Sequence, residues 1–274
     1  MFHSMKDLER YTIGAIDGMI GKVEDFYFDD SAWVIRYLVV ETGKWLSHRR
    51  VLVSPLALNQ PDWAGKIFPA AITRDQVKDS PGIDSDKPVS RQHEIGYHDY
   101  YRYPYYWDGG NFWGDGMMWW GMESGREPAD AEAKCEAPPP GDPHLRSGNE
   151  ISGYDVCAAD GHIGHVQGLL LDEKGWAIRF IVVNTSNWWL GNQVLIAPRW
   201  ITDLKWEDRT VSVSLSRDAV KGSPPYTPGA GTGRNEEARL YDHYDKPGYW
   251  AREVQMENPE FRVIDRAPLR HGDV

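Results

Sequence analysis

His98-Asp99 and Asp242-His243 each set an imidazole beside a carboxylate, at nearly corresponding places in two halves of the chain. An imidazole oriented by an acid can act as a general base, and the same pair can supply two ligands to a metal. A metal site needs three or more convergent ligands, and the order of the two residues is reversed between the halves, so no shared role follows. His162 and His165 bracket Ile163-Gly164, but the matching positions hold Met19 and Lys22. Asp17-Gly18 and Asp160-Gly161 are accounted for by turn chemistry, since Asp-Gly supplies the positive φ of a tight hairpin. The glycine-rich stretch 109–121 is not set between a strand and a helix as a phosphate cradle requires. Gly-x-Ser-x-Gly, His-Glu-x-x-His, Walker and dinucleotide fingerprints are absent. The sequence therefore predicts no catalytic residue, no metal ligand set and no cofactor.

What recurs instead is recognition chemistry. Arg36 and Arg179 stand in matching strands, where each is read as a partly buried guanidinium pairing an acid such as Glu24 or Asp25 or capping carbonyls, or as an interface anchor. Trp45 and Trp188, with Trp189 beside the latter, fall on a turn between strands, where they either close the fold or offer a hot spot to a partner. Tyr101, Tyr106, Trp107 and their matches Tyr244, Tyr249 and Trp250 form aromatic arms. An arm of this kind either straps back onto its own strands or docks a partner, because aromatic clusters serve both purposes.

The correspondence comes from a duplication. Shifted by 143 positions, the chain matches itself without a gap from Tyr11/Tyr154 to Trp107/Trp250, and 32 of those 97 positions are identical. Asp17-Gly18-x-Ile20-Gly21-x-Val23 falls on Asp160-Gly161-x-Ile163-Gly164-x-Val166, and Trp33-x-Ile35-Arg36 on Trp176-x-Ile178-Arg179. Repeats of this length are domains rather than units of a solenoid. The expected organisation is a first module over 5–107, a linker over 108–147, a second module over 148–250 and a polar tail over 251–274. The linker begins with a Gly/Trp/Met-rich segment, 109–122, and continues as an acidic, proline-rich stretch.

Within a module, β-branched and aromatic runs predict strands over 12–16, 23–28, 33–42 and 50–54. Alternation at Phe68, Ala70 and Ile72 predicts a fifth. Gly21 and Gly164, inside strands, mark a bulge or sharp bend. Thr73 and Ser216 precede Arg-Asp-x-Val-Lys as N-caps of a short helical turn. The arms over 82–107 and 225–250, poor in aliphatics, are read as extended. Many short strands joined by turns argue for a small antiparallel barrel in each half.

Net charge bounds the partners. With 41 acidic against 30 basic residues the chain carries −11, which disfavours general nucleic-acid binding. Cys135 and Cys157 are not equivalent under the repeat, so a disulfide framework is not expected and a reducing, cytoplasmic compartment fits. The first ten residues lack the apolar core of a secretory signal, and no run approaches the ~20 apolar residues that span a bilayer.

The Asp-Gly-x-Ile-Gly-x-Val run, the strand after it ending in Asp, Trp-x-Ile-Arg-Tyr-Leu-Val-Val-Glu-Thr-Gly-x-Trp and the strand closing on Ser-Pro resemble the PRC-barrel family. That family includes the cytoplasmic domain of the photosynthetic reaction-centre H subunit. The resemblance implies an all-β fold of two tandem barrels. It does not carry over the H subunit's role, because the membrane helix of that subunit has no counterpart in this sequence. The functional expectation is a non-catalytic scaffold that binds a protein partner or itself, with the two barrels paired about a pseudo-two-fold axis. The alternatives are an accessory protein that binds a small ligand or transfers electrons, and a peripheral subunit of a membrane complex. For the membrane reading, the aromatic segment 112–122 suits a headgroup interface, while the negative charge opposes anionic lipid.

Overall fold

A computed structural model of the chain describes residues 2–83, 89–107, 145–185, 192–229 and 233–250. Trp188, Trp189, the segment 109–122, the linker as far as 144 and the tail 251–274 lie outside the described residues.

The first module runs β1 (Phe2–Ser4), α1 (Met5–Leu8), β2 (Thr12–Ala15), β3 (Gly18–Asp29), β4 (Val34–Glu41), β5 (Arg50–Val53), β6 (Ile67–Pro69), α2 (Arg74–Asp79) and α3 (Arg91–Tyr101). The second runs β7 (Leu145–Ser147), β8 (Asp155–Ala158), β9 (Gly161–Asp172), β10 (Ile178–Asn184), β11 (Gln193–Ile196), β12 (Ile201–Lys205), β13 (Thr210–Val213), α4 (Arg217–Lys221) and α5 (Arg234–His243). The sheet orders are β5-β4-β3-β2-β6 and β11-β10-β9-β8-β13-β12. Hairpins make most neighbours antiparallel, but the return strand joins the first strand in parallel, Thr12 opposite Ile67 and Asp155 opposite Thr210. The fold is mainly β, as the sequence implies, although neither sheet closes into a full barrel.

Local chemistry explains the strand framework. A Cβ on Gly21 would lie 1.8 Å from the Glu41 carbonyl oxygen, and one on Gly164 would lie 2.1 Å from that of Asn184. Glycine therefore lets the long second strand of each module cross close to its neighbour's backbone. The Asp of the Asp-Gly turn also acts at a distance in sequence. Asp17 Oδ1 accepts the Arg74 backbone N–H at 2.8 Å, and Asp160 does the same for Arg217. The hairpin turn thereby caps α2 and α4 alongside Thr73 and Ser216, whose hydroxyls accept from Gln76 and Ala219.

The arms differ from expectation. Each contains a helix, α3 or α5, rather than an extended strap. The buried face of α3 is Glu94, Tyr97 and His98, and that of α5 is Glu237, Leu240 and Tyr241. The spacing is helical, but Leu240 is the one aliphatic among the charged and aromatic residues of these inward stripes, so hydrophobic periodicity does not show them.

The modules exchange their leading strands. β1 pairs with β9 of the second module, and β7 pairs with β3 of the first. The registers match under the repeat: Phe2 faces Asp172 and Leu145 faces Asp29. Val34 bridges to Ala177, its own equivalent, which places a pseudo-two-fold axis between them. The flanking bonds are reciprocal, Ile35 N–H to Trp176 O at 2.8 Å and Ile178 N–H to Trp33 O at 2.7 Å. Residues 145–147, read from sequence as linker, are thus part of the fold, and one apolar core runs through both modules from Phe26 and Phe28 to Leu170 and Phe180.

Candidate functional site: the inter-module seam and its cleft

The tight turn between the second and third strands of each module is organised by one aspartate. Asp29 Oδ1 accepts the backbone N–H groups of Ser31 at 3.0 Å and Ala32 at 3.1 Å, while Oδ2 takes the Arg36 guanidinium at 3.1 Å. The turn ends on Trp33, whose φ of 55° lies in the left-handed region, as does that of Trp176 at 53°. A tryptophan there is strained by about 1–2 kcal/mol, which the reciprocal seam bonds through its carbonyl offset. Arg36 therefore pairs with Asp29, not with Glu24 or Asp25: Glu24 bonds Arg50, and Asp25 accepts from Ser147 across the seam.

Above this turn lies a cluster built twice. In the first module the Arg36 guanidinium stacks 3.9 Å from the Tyr106 ring. Tyr106 donates to Glu94 at 2.5 Å, and Arg91 reaches the same carboxylate at 2.9 Å while covering the Trp107 ring at 4.0 Å. In the second, Arg179 bonds Asp172 at 3.3 Å and stacks 4.1 Å from Tyr249. Tyr249 donates to Glu237 at 2.8 Å, with Arg234 at 3.4 Å from that carboxylate and 4.6 Å from the Trp250 ring. Each cluster fastens an arm helix to its sheet by charge-assisted bonds and cation–π stacking.

Burial raises both acids, but their net shifts run in opposite directions. It raises Asp29, but the Arg36 charge and the bonds from Ala32, Arg36 and Ser31 outweigh it, and the carboxyl ends below its ordinary value. Glu237 is pushed up by burial, which outweighs the Tyr249 bond and the nearby arginines. His98 is lowered by burial; its Nδ1 lies 2.9 Å from the Pro104 carbonyl and its Nε2 3.0 Å from the Tyr37 hydroxyl. It is a core histidine, and Tyr241 takes its place in the second module. No group of three or more His, Cys, Asp or Glu side chains is placed to hold a metal among the described residues.

The remaining sequence candidates are placed as follows. Tyr101 stacks on Tyr103 with centroids 5.4 Å apart, and Tyr244 is buried 4.9 Å from Trp200. Trp45 is half-buried; its indole N–H donates to the Ile20 carbonyl at 2.5 Å, and Arg74 covers its ring at 4.2 Å. These aromatics face their own modules, the strap arrangement. Sequence reasoning passed over Asp29/Asp172, Arg91/Arg234, Glu94/Glu237 and Trp63/Trp206, all identical under the repeat.

Trp63 and Trp206 belong to the seam. His3 on the exchanged strand β1 stacks 3.9 Å from Trp63 and bonds Glu173 at 3.1 Å in the other module. The equivalent Arg146 on β7 covers Trp206 at 4.5 Å and reaches Asp30 at 3.1 Å. Beside the seam opens a cleft of about 830 Å³ between the turn at Asp30–Val34 and the second module, bordered by Arg179, Arg199, Trp200, β12 and residues 246–249. That volume lies in the usual range of binding sites.

Two open sheets of one topology, tied by exchanged strands and flanked by clamped aromatic arms, define a tandem protein of small β-modules. Residues 4–69, within the first module, match the PRC-barrel domain family. Over 73 residues the chain is also 36% identical to an uncharacterized protein of Deinococcus radiodurans, an overlap of 27% of this chain and 26% of that protein. Among the described residues no helix is long and apolar enough to cross a membrane.

Proposed function

We propose that the chain is a non-catalytic scaffold that presents a fixed two-module surface to a protein partner, or to a second copy of itself, in the cytoplasm. The observation that carries this reading is the doubled cluster. In both copies the repeated ionisable side chains, Asp29, Arg36, Arg91 and Glu94 with their equivalents, bond to one another and hold the arms. Groups committed in this way serve rigidity rather than proton transfer to a substrate, and a rigid scaffold favours binding by limiting the ordering cost. The test is affinity capture of the full chain from native lysate with cross-linking and mass spectrometry, run beside light scattering. A stoichiometric protein partner or a defined oligomer is expected. Purification as a monomer without cross-links would refute it.

The cleft favours a second reading, an accessory protein that holds a small ligand between the modules. Native mass spectrometry separates the two, since a ligand-binding protein would show a discrete added mass lost on denaturation. A peripheral place on a membrane-bound assembly is a special case of the scaffold reading. Flotation with anionic vesicles tests it.

A further inference from the structure

We propose that the free edge of β12, together with Arg199 and Lys246, takes an extended acidic segment of a partner protein, added as a further strand to the second sheet. This rests on the scaffold reading and specifies its surface. Among the described residues β12 ends the sheet order, with β13 on one side only. Four successive β12 residues, Ile201 to Leu204, border the cleft. The ladder with β13 shifts register between Ile201 and Asp203, and the exposed Thr202 and Asp203 set their side chains beside the same open main-chain edge. Such an edge is a template for strand addition.

The duplication provides an internal control. The stretch of the first module matching β12 contains Pro61 where β12 has Leu204, and forms only single bridges, Leu58 to Ala70 and Asp62 to Ile67. Proline lacks the N–H that an added strand would use. Arg199 replaces Leu56, which packs with Tyr106 against Val34 and Ala177 on the other side of the axis. Lys246 replaces Tyr103, which stacks on Tyr101, and Gly248 replaces Tyr105. One side of the seam has thus lost its plug and its blunted edge and gained two cations.

The other charges at the cleft are answered locally. Asp30 takes Arg146 and the Trp206 indole N–H, Asp203 lies 3.9 Å from Lys205, and Arg179 holds Asp172. Among the described residues Arg199 and Lys246 have no carboxylate partner, in a chain of net charge −11. Arg199 lies over the Tyr249 ring at 5.6 Å, and cations that lack a carboxylate beside an open edge select carboxylates on an incoming strand.

The probe is a display library of random heptapeptides panned on the immobilised full chain, with enriched peptides remeasured by fluorescence polarisation. Peptides with acidic residues alternating with β-branched ones are expected. The Arg199→Glu/Lys246→Glu variant should weaken them about tenfold or more. Leu204→Pro should also weaken them by blunting the edge; because it could disturb β12, the charge-reversal variant decides if Leu204→Pro misfolds. No enrichment, enrichment without acidic bias, or acidic peptides indifferent to charge reversal would overturn the proposal. So would citrate filling the cleft while peptides fail to bind, an outcome that favours a small anion. If cross-linking captures a partner that the charge variant still binds, the scaffold reading survives and this surface is wrong.

Discussion

Arg36→Met isolates what the buried clusters contribute. The Arg36 side chain is 2% exposed, and that of Asp29, whose carboxylate it answers, is 11% exposed. Removing one member of a buried pair costs about 3–5 kcal/mol, because the remaining charge stays in a poor solvent. In the second module the corresponding side chains are 10% and 17% exposed and the bond is 3.3 Å, so Arg179→Met should cost on the order of 2 kcal/mol, between the exposed and buried limits. For a chain of this size each kcal/mol moves Tm by about 2–4 °C, so Arg36→Met should melt about 6–20 °C below the parent. Urea unfolding followed by circular dichroism gives the free energies directly. The pH dependence sharpens the test. Asp29 has a lowered folded-state pKa, so its contribution is present above the unfolded carboxylate value near ~3.9 and is lost as pH falls through the folded value. Without Arg36 that carboxyl should be raised instead, and the gap between parent and variant should narrow as pH falls from about 5 to about 3. Equal losses for the two arginine variants, or a gap independent of pH, would refute the reasoning.

Gly21→Ala and Gly164→Ala each drive a Cβ into a neighbouring carbonyl and should cost about 3 kcal/mol or more, whereas Gly14→Ala, 3.4 Å from Ile67, should be mild; thermal melts of the three decide. His98 has a folded-state pKa lowered by burial, so the unfolded chain binds the extra proton and stability should fall as pH drops below the ordinary value near ~6.5. His98→Tyr, the residue at Tyr241, should flatten that slope in urea titrations between pH 7 and 5. Trp45→Ala should lower stability by about 1–3 kcal/mol through lost packing and the bond to Ile20 while leaving any association constant unchanged; weakened association with an unchanged Tm would restore it as a hot spot.

The strand framework was legible because its signals are local. Asp17-Gly18, Gly21 and the β-branched run of β4 each fix a turn, a crossing or a strand within a few residues. The arm helices were obscured because their inward stripe carries Glu94 and His98, which become suitable for burial only beside Arg36, Arg91 and Tyr37. The exchanged strands were hidden for another reason. Three residues such as Phe2–Ser4 have no periodicity of their own, and their partner strand lies 166 or more positions away. The repeat did hold a signal for much of the site, since Asp29, Trp63, Arg91 and Glu94 recur identically. Arg199 and Lys246 are the reverse case, conspicuous only where the copies diverge and only once the cleft is seen.

Because each half contributes a strand to the other's sheet, the halves are tied by two ladders besides the peptide chain between 108 and 144. A protease nick there would break one covalent connection and neither of these two ladders, leaving two fragments bound as a heterodimer. The intact chain gains from its tether only the effective concentration of one half for the other. The halves are therefore separable at the level of genes: expressed as two polypeptides, residues 1–107 and 145–274 should find each other and complement. A single chain guarantees equal amounts of the two and lets either copy change its surface independently, as the second has done at Arg199 and Lys246.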